Sequence, residues 1–250
     1  MIDRFTRNPL LLGLAFVVSA LLGAGIFAAA QAMVPGLNGD RAEIASVVRE
    51  YLLENPEILP EAMERLQAKE QAVQQKAANE GLKSVSGTVA KPYASAWSGN
   101  PDGDVTVVAF MDYNCGYCRA SLPTLAQLAA ADPKVKIVYR EYPVLGEESV
   151  AAARWALAAA DQGKFMPFHE ALYAGDDFET AAGKAGVDVA RAKAALESPR
   201  VTGEIEANRK MGYAMRLTGT PGFVIGNAVY HGAMDYASFV KAVAAARAGK

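Results

Sequence analysis

Apolar residues fall along this chain in four different rhythms. From Leu10 to Ala30 they are nearly continuous, 21 residues broken only by Ser19 and glycines. Between residues 40 and 86 they are spaced. Ile44, Val47, Val48, Tyr51 and Leu52 recur at helical intervals, and Leu59, Met63, Leu66 and Val73 follow on a second helix, with Glu70 between them. Asn55-Pro56 divides the two, because the residue before a proline is pushed away from helical angles. The second helix therefore starts near residues 56–60. Val105–Met111 is short, unbroken and rich in β-branched residues, the pattern of a strand buried on both faces. From Glu147 to about Leu217 the spacing is helical and rich in alanine. Breaks at Gly163, Gly175, Gly186 and Pro199 divide that block into four or so short helices.

Between these stretches lie the remaining elements. Residues 84–101 read as a linker with one short strand. After Val105–Met111 comes a helix-like run, Arg119–Ala131, with Leu122, Leu125 and Leu128 on one side and Pro123 inside it, where a kink is expected. Val135–Tyr139 is a second strand. Strand, helix, strand is a βαβ unit and implies a parallel pair. After the helical block, Thr218-Gly219-Thr220-Pro221-Gly222 breaks the chain. Phe223–Ile225 and Ala228–Tyr230 then flank Gly226-Asn227 as a hairpin. Tyr236–Ala246 closes the domain as a helix, with Ala244–Lys250 expected to fray. The fold class is α/β. The domains are 1–39 as a targeting segment, 40–86 as a helical stalk, and 87–250 as a catalytic domain with a helical insertion at about 147–217.

Composition changes this picture in two places. With 250 residues, 52% apolar and 21% charged, the chain can bury one sizeable core. Its net charge of -2 gives no reason to expect nucleic acid or an anionic membrane as partner. Arg4 and Arg7 precede the first apolar run, and Ala30-Gln31-Ala32 offers a cleavage pattern, so residues 1–39 read as an export segment. The run is long for a cleaved signal peptide and about the length that spans a bilayer. It is therefore either a signal peptide or an anchor at residues 10–30. Both readings place the chain beyond residue 39 in the periplasm or its equivalent. Residues 40–86 carry too little apolar surface to fold alone. They either lie on the catalytic domain or pair with copies of themselves. An amphipathic stalk that forms an oligomer is the preferred reading, and a solvated spacer is the alternative.

The chemistry sits in Phe110-Met111-Asp112-Tyr113-Asn114-Cys115-Gly116-Tyr117-Cys118, which holds both cysteines of the chain. Two cysteines at i, i+3 close a loop too small to add much stability, so the pair is read as redox-active rather than structural. Cys115 falls where the helix begins, and free N–H groups and the helix dipole there favour a thiolate. Cys118 lies one turn further in and is less exposed. The two roles divide accordingly: Cys115 attacks a substrate disulfide and Cys118 resolves the mixed disulfide. Gly116 lets the backbone approach a substrate, Tyr117 adds an apolar face and no charge, and a moderately oxidising couple is expected. No cofactor beyond the redox-active disulfide Cys115–Cys118 is needed. Zinc wants four ligands, and only His169, set among apolar residues as a packed core histidine, and His231, at a turn or surface, could join the cysteines. Cu(I) held by Cys115 and Cys118 alone remains a rival, and a non-enzymatic adaptor is a third reading. Thr220-Pro221 is a second anchor that a cis bond would turn toward the substrate; from the residues alone trans stays the commoner form.

Cys115-Gly116-Tyr117-Cys118, with Thr220-Pro221 about a hundred residues later and a helical block between, resembles the Dsb family of exported thiol–disulfide oxidoreductases over about residues 100–246. The resemblance implies a thioredoxin fold with a helical insertion, to which Phe165–Tyr173 is similar. It also implies a cis Pro221 facing the cysteines, with Thr220, Gly116 and Tyr117 contacting substrate. Gly-Tyr between the cysteines and threonine before the proline resemble the isomerase (DsbC-like) pattern rather than that of the DsbA-like oxidases. The segment Ile44–Leu66 is similar to the N-terminal region of ScsC-like proteins, linked to copper tolerance, in which it can trimerise. The implied partners are disulfide-containing exported proteins and a membrane thiol reductase (DsbD- or ScsB-like). A dithiol oxidase would instead work with a quinone-linked membrane oxidase. One departure stands out. Many relatives carry a buried glutamate six positions before the first cysteine, as a proton relay. Here that position is Ala109, which leaves proton transfer to Cys118 to water or to Glu141.

Overall fold

The computed structural model describes residues 9–33 and 41–249, with side chains described over 13–29 and 43–249. It falls into two compact units, Met1–Ala68 and Lys69–Lys250. The first holds helix α1 (Pro9–Met33), helix α2 (Arg41–Glu54) and the start of helix α3 (Ile58–Val89). All described side chains of α1 are exposed. Among the described residues, no helix is long and apolar enough to cross a membrane. The basic residues Arg4 and Arg7, and the join between α1 and α2, lie outside the described residues. Helix α2 ends as the sequence pattern requires. Asn55, held before Pro56, directs both its backbone N–H and its side-chain amide at the Tyr51 carbonyl, each at 2.9 Å. The spaced apolar residues Ile44, Val47, Val48, Tyr51, Leu59, Met63 and Leu66 are all exposed in the single chain.

The second unit is built on a five-stranded sheet in the order β1-β3-β2-β4-β5. The strands are β1 (Trp97–Gly99), β2 (Val105–Met111), β3 (Val135–Glu141), β4 (Gly222–Ile225) and β5 (Ala228–His231). β2 and β3 run parallel, joined by helix α4 (Gly116–Ala131), while β1–β3, β2–β4 and β4–β5 are antiparallel. The period of two along β2 splits its side chains between two cores. Val105, Val107 and Ala109 join one core with Leu125 and Leu128 of α4; Val108 and Phe110 join the other. The helical block resolves into five helices rather than four: α5 (Glu147–Ala160), α6 (Phe165–Tyr173), α7 (Phe178–Ala185), α8 (Val189–Ala195) and α9 (Pro199–Ala214). The fifth arises because Pro199 starts a helix, capped by Ser198, instead of merely ending one. Helix α10 (Tyr236–Ala248) closes the unit. Its last turn is not frayed. Arg247 binds Asp104 at 2.8 Å and Asp132 at 2.7 Å, long-range pairs that no local pattern reveals.

The expected linker from residue 84 also differs. Helix α3 runs on to Val89, and its second half lies on the sheet, the first of the two uses open to this segment. Ala78, Leu82 and Val89 are buried in the core that holds Val108 and Phe110. Gln75 donates to the Val229 carbonyl at 2.7 Å, and Asn79 accepts the Val229 N–H at 3.0 Å, so α3 also engages β5. The end of α3 is held by Arg140 of β3. Its buried guanidinium donates to the carbonyls of Thr88 at 2.6 Å, Val89 at 3.2 Å and Lys91, and pairs with Glu204 at 2.6 Å. These carbonyls are the orphan acceptors of a helix end, and Glu204 offsets the cost of burying the charge.

Gly81 lets α3 approach α9. A Cβ there would lie 1.7 Å from the Ala214 carbonyl oxygen, a backbone atom that cannot swing aside. Gly81→Ala is therefore expected to destabilise the protein by about 1–3 kcal/mol, the usual range for overpacking. Urea unfolding monitored by far-UV circular dichroism checks this, and an unchanged midpoint would show that the close approach is absent.

Candidate active site

The strand-to-helix junction is fixed by one carboxylate. Asp112 follows β2 and is buried. Its Oδ1 accepts the Asn114 N–H at 2.9 Å, and its Oδ2 accepts the N–H groups of Val144 at 2.8 Å and Leu145 at 3.1 Å. Its carbonyl accepts the Cys115 N–H at 3.1 Å and the Tyr173 hydroxyl at 3.0 Å. The turn into α4 and the loop after β3 are thus tied to one residue. Cys115 is the N-cap of α4, with extended backbone angles, and its sulfur accepts the Cys118 N–H at 3.4 Å. It occupies the place where serine, threonine or aspartate commonly caps a helix.

The second wall comes from β4. Antiparallel pairing of Phe110 with Gly222 brings the residues before β4 over the end of β2. The Thr220-Pro221 bond is cis. The Cys115 thiol donates to the Thr220 carbonyl at 3.2 Å, so residues 105 positions apart meet at the sulfur. Gly116 has open space where a Cβ would stand, and Tyr117 is 72% exposed. The six residues singled out from the sequence therefore meet in one place, with Gly116 and Tyr117 exposed, Thr220 half-buried, and Cys115, Cys118 and Pro221 buried.

The two thiols are unequal. Cys115 is 7% exposed and Cys118 fully buried. Burial pushes the Cys115 thiol up. Hydrogen bonding from the Thr220 side chain, from Cys118 and from the Tyr117 N–H outweighs this and leaves its pKa below the ordinary value. The thiol's own bond to the Thr220 carbonyl opposes ionisation, but the helix-end donors dominate because they act on the charged sulfur. Burial likewise pushes Cys118 up, here to about 12, and the neighbouring Cys115 adds to it. At neutral pH a thiolate therefore forms at Cys115 far more readily than at Cys118.

Beneath the pair lies a buried polar cluster that local sequence does not reveal. Tyr113 donates its hydroxyl to Glu141 Oε1 at 3.2 Å and shares a hydrogen bond with His169 Nδ1 at 2.8 Å. The Tyr113 and Tyr173 rings lie 4.6 Å apart. Burial holds the Glu141 carboxyl well above the usual carboxylate range and pushes His169 down to about 3. His169 is thus the packed core histidine its neighbours imply, with Phe165, Tyr139 and Tyr173 around its ring. His231 ends β5 and is exposed. Among the described residues, no group of three or more His, Cys, Asp or Glu side chains could hold a metal ion.

The chain is similar to known proteins. The thioredoxin family model matches residues 91–245, and the model of the copper resistance protein ScsC N-terminal domain matches residues 40–72. The chain belongs to the thioredoxin-fold, DsbA-like thiol–disulfide oxidoreductases that carry a ScsC N-terminal domain. A thioredoxin-like oxidoreductase from Silicibacter pomeroyi is 40% identical over 61% of this chain and 91% of that one, with a TM-score of 0.59. Proteus mirabilis ScsC in a transitional conformation is 28% identical over 84% of this chain and 98% of that one, at 0.62. The thiol-disulfide exchange protein alpha-DsbA2 from Wolbachia pipientis is 26% identical over 68% and 96%, also at 0.62. Among curated relatives, the Na(+)/H(+) antiporter NhaA 3 of Salinispora tropica is 30% identical over 156 residues, 59% of this chain. The chain spans about a quarter of the length of the curated relatives it matches, 24% in this case.

The turn from β2 into α4 depends on Asp112, whose side chain holds three N–H groups. Asp112→Ala leaves these donors without their charged acceptor and is expected to cost about 3 kcal/mol. Urea unfolding measures the loss, and amide exchange at Val144 and Leu145 should quicken with it. Unchanged stability and exchange would remove Asp112 from this role.

Proposed function

We propose that the protein is an exported protein disulfide isomerase or reductase in which Cys115 attacks and Cys118 resolves. The observation that carries this reading is the inequality of the two sulfurs. Cys115, 7% exposed, sits on a helix N-terminus below the Thr220 carbonyl, with its pKa lowered. Cys118 is buried one turn behind it, with its pKa raised. Cys115 then opens a substrate disulfide and forms a mixed disulfide. Isomerisation returns Cys115 as a thiolate when the substrate re-pairs; reduction ends with Cys118 attacking Cys115 and releasing the substrate thiol. Gly116, Tyr117, Thr220 and Pro221 form the surface on which an extended substrate segment lies. The reduced form is restored by a membrane thiol reductase, and residues 1–39 direct export to the periplasm.

Shuffling rather than oxidation is supported by the N-terminal unit. Ile44, Val47, Val48 and Tyr51 of α2 and Leu59, Met63 and Leu66 of α3 are exposed in the single chain, and they recur at helical spacing. Burying them between copies, as a trimer or another oligomer, gathers several redox sites around one substrate. The similarity of residues 40–72 to the ScsC N-terminal domain agrees with this.

Reactivation of scrambled ribonuclease by the reduced protein tests the isomerase reading, and failure to reactivate would contradict it in favour of a dithiol oxidase. The double variant Leu59→Glu, Leu66→Glu should be monomeric by sedimentation and should lose most of that reactivation. An unchanged oligomeric state would remove the stalk from the assembly. Cu(I) held by Cys115 and Cys118 is the second reading, favoured by the copper-resistance name of the N-terminal match. It requires tight Cu(I) binding that disappears in Cys115→Ser, whereas millimolar affinity would exclude it.

A further inference from the structure

Helix α4 carries a proline inside it. Pro123 has no N–H, so the Arg119 carbonyl four positions before it loses its helical donor. Both residues line an open groove of about 470 Å³ between α4 and α6. A helix carbonyl points along the axis toward the residue four positions on, so this freed acceptor lies on the groove wall. The groove is large enough to enclose a bulky side chain. It also adjoins the redox pair. Arg119 follows Cys118, and its N–H is held by the Cys115 carbonyl at 3.1 Å. Tyr173, on the facing wall, donates its hydroxyl to the Asp112 carbonyl at 3.0 Å.

Leu122 and Ala126 of α4 and Met166 of α6 make the groove apolar along its length. Most of its polar groups are acceptors. His169 lines it, and its ring is neutral. The Tyr113 hydroxyl gives its proton to Glu141, so His169 Nδ1 carries the hydrogen of the 2.8 Å bond to Tyr113. That leaves Nε2 a bare acceptor. It is buried and makes no hydrogen bond to any described residue, a cost that a donor from outside would remove. Glu170 adds an exposed carboxylate and Arg119 an exposed guanidinium. Neither forms an ion pair with a described residue. The groove thus asks for an apolar ring that brings a donor and no acceptor.

We propose that this groove seats a tryptophan side chain of the protein substrate, a few residues from the cysteine that Cys115 attacks. The proposal rests on the reading that Cys115 opens disulfides of exported proteins, and it names the segments preferred. Indole carries one N–H donor and no acceptor. That N–H meets the acceptors left open, the Arg119 carbonyl freed by Pro123 and, deeper, His169 Nε2. The indole face gives the Arg119 guanidinium a cation–π partner and the Met166 sulfur an aromatic contact. Phenylalanine would fill the same space without a donor. None of Gly116, Tyr117, Thr220 and Pro221 lines this groove, so it adds a choice of sequence to the surface on which the substrate lies.

Short synthetic peptides with one cysteine, held as its mixed disulfide with thionitrobenzoate, test this with the reduced full chain. The two protein thiols become the Cys115–Cys118 disulfide, the peptide thiol and thionitrobenzoate are released, and the absorbance of the latter gives the second-order rate constant. Tryptophan, phenylalanine or alanine is placed in turn at each of about six positions on either side of the cysteine, a reach of about 20 Å in an extended chain. At one spacing, tryptophan should react about tenfold faster than alanine and severalfold faster than phenylalanine. Ala126→Trp fills the groove from an exposed position on its own wall. It should abolish the preference for tryptophan and leave the rate of the alanine peptide unchanged. Ala126→Glu, which places a charge on the same wall, should do likewise and decides the matter if the first variant does not fold. Equal rates for tryptophan and alanine at every spacing, phenylalanine as fast as tryptophan, or a preference kept in a folded variant overturns the tryptophan site and leaves the roles of Cys115 and Cys118 standing. No release from any peptide overturns both.

Discussion

Cys115 stands where it does because β2 is held from both sides. Parallel pairing with β3 and antiparallel pairing with β4 fix the end of β2. Asp112 then turns the chain so that the next helix begins at the sulfur. The same pairing with β4 carries the Thr220 carbonyl to within 3.2 Å of that sulfur. A helix N-terminus stabilises a thiolate only within its first turn, so the chemistry depends on this register. A shift of one residue in the β2–β4 pairing would turn the alternating side chains of the strand over and carry the Thr220 carbonyl away from Cys115.

The burial that makes Cys118 a slow nucleophile is also what separates the two thiols. With both exposed, either sulfur could attack first and the mixed disulfide would have no preferred exit. Placing Cys118 one turn inside α4, in the core that also holds Ala109 and Tyr113, gives the pair a direction. That direction comes at the cost of a buried thiol that gives up its proton less readily than Cys115 does.

Much of this was legible in the sequence, because the signals were local. The continuous run Val105–Met111, the cysteines at its end, the break at Asn55-Pro56 and the hairpin around Gly226-Asn227 all appear where their residue types place them. What escaped was set by contacts between distant residues. The second half of α3 reads as stalk to residue 86, with a linker from residue 84, yet it lies on the sheet, where Gly81 permits close approach to α9 and Arg140 of β3 closes its last carbonyls. The end of α10 reads as frayed, yet Arg247 reaches two aspartates more than a hundred positions away. Glu141 was visible as an acid near the site, but its link to His169 passes through Tyr113, 28 positions from one and 56 from the other.

The inequality of the two sulfurs is open to one direct measurement. Iodoacetamide labelling of the reduced protein, followed by peptide mass spectrometry across pH 5–10, reports each thiol separately. The expected result is labelling of Cys115 first, with a midpoint below that of a free cysteine at about 8.5, while Cys118 stays unlabelled across the range. Equal labelling of the two, or a Cys115 midpoint at or above the free value, would contradict the assignment of Cys115 as the attacking thiolate.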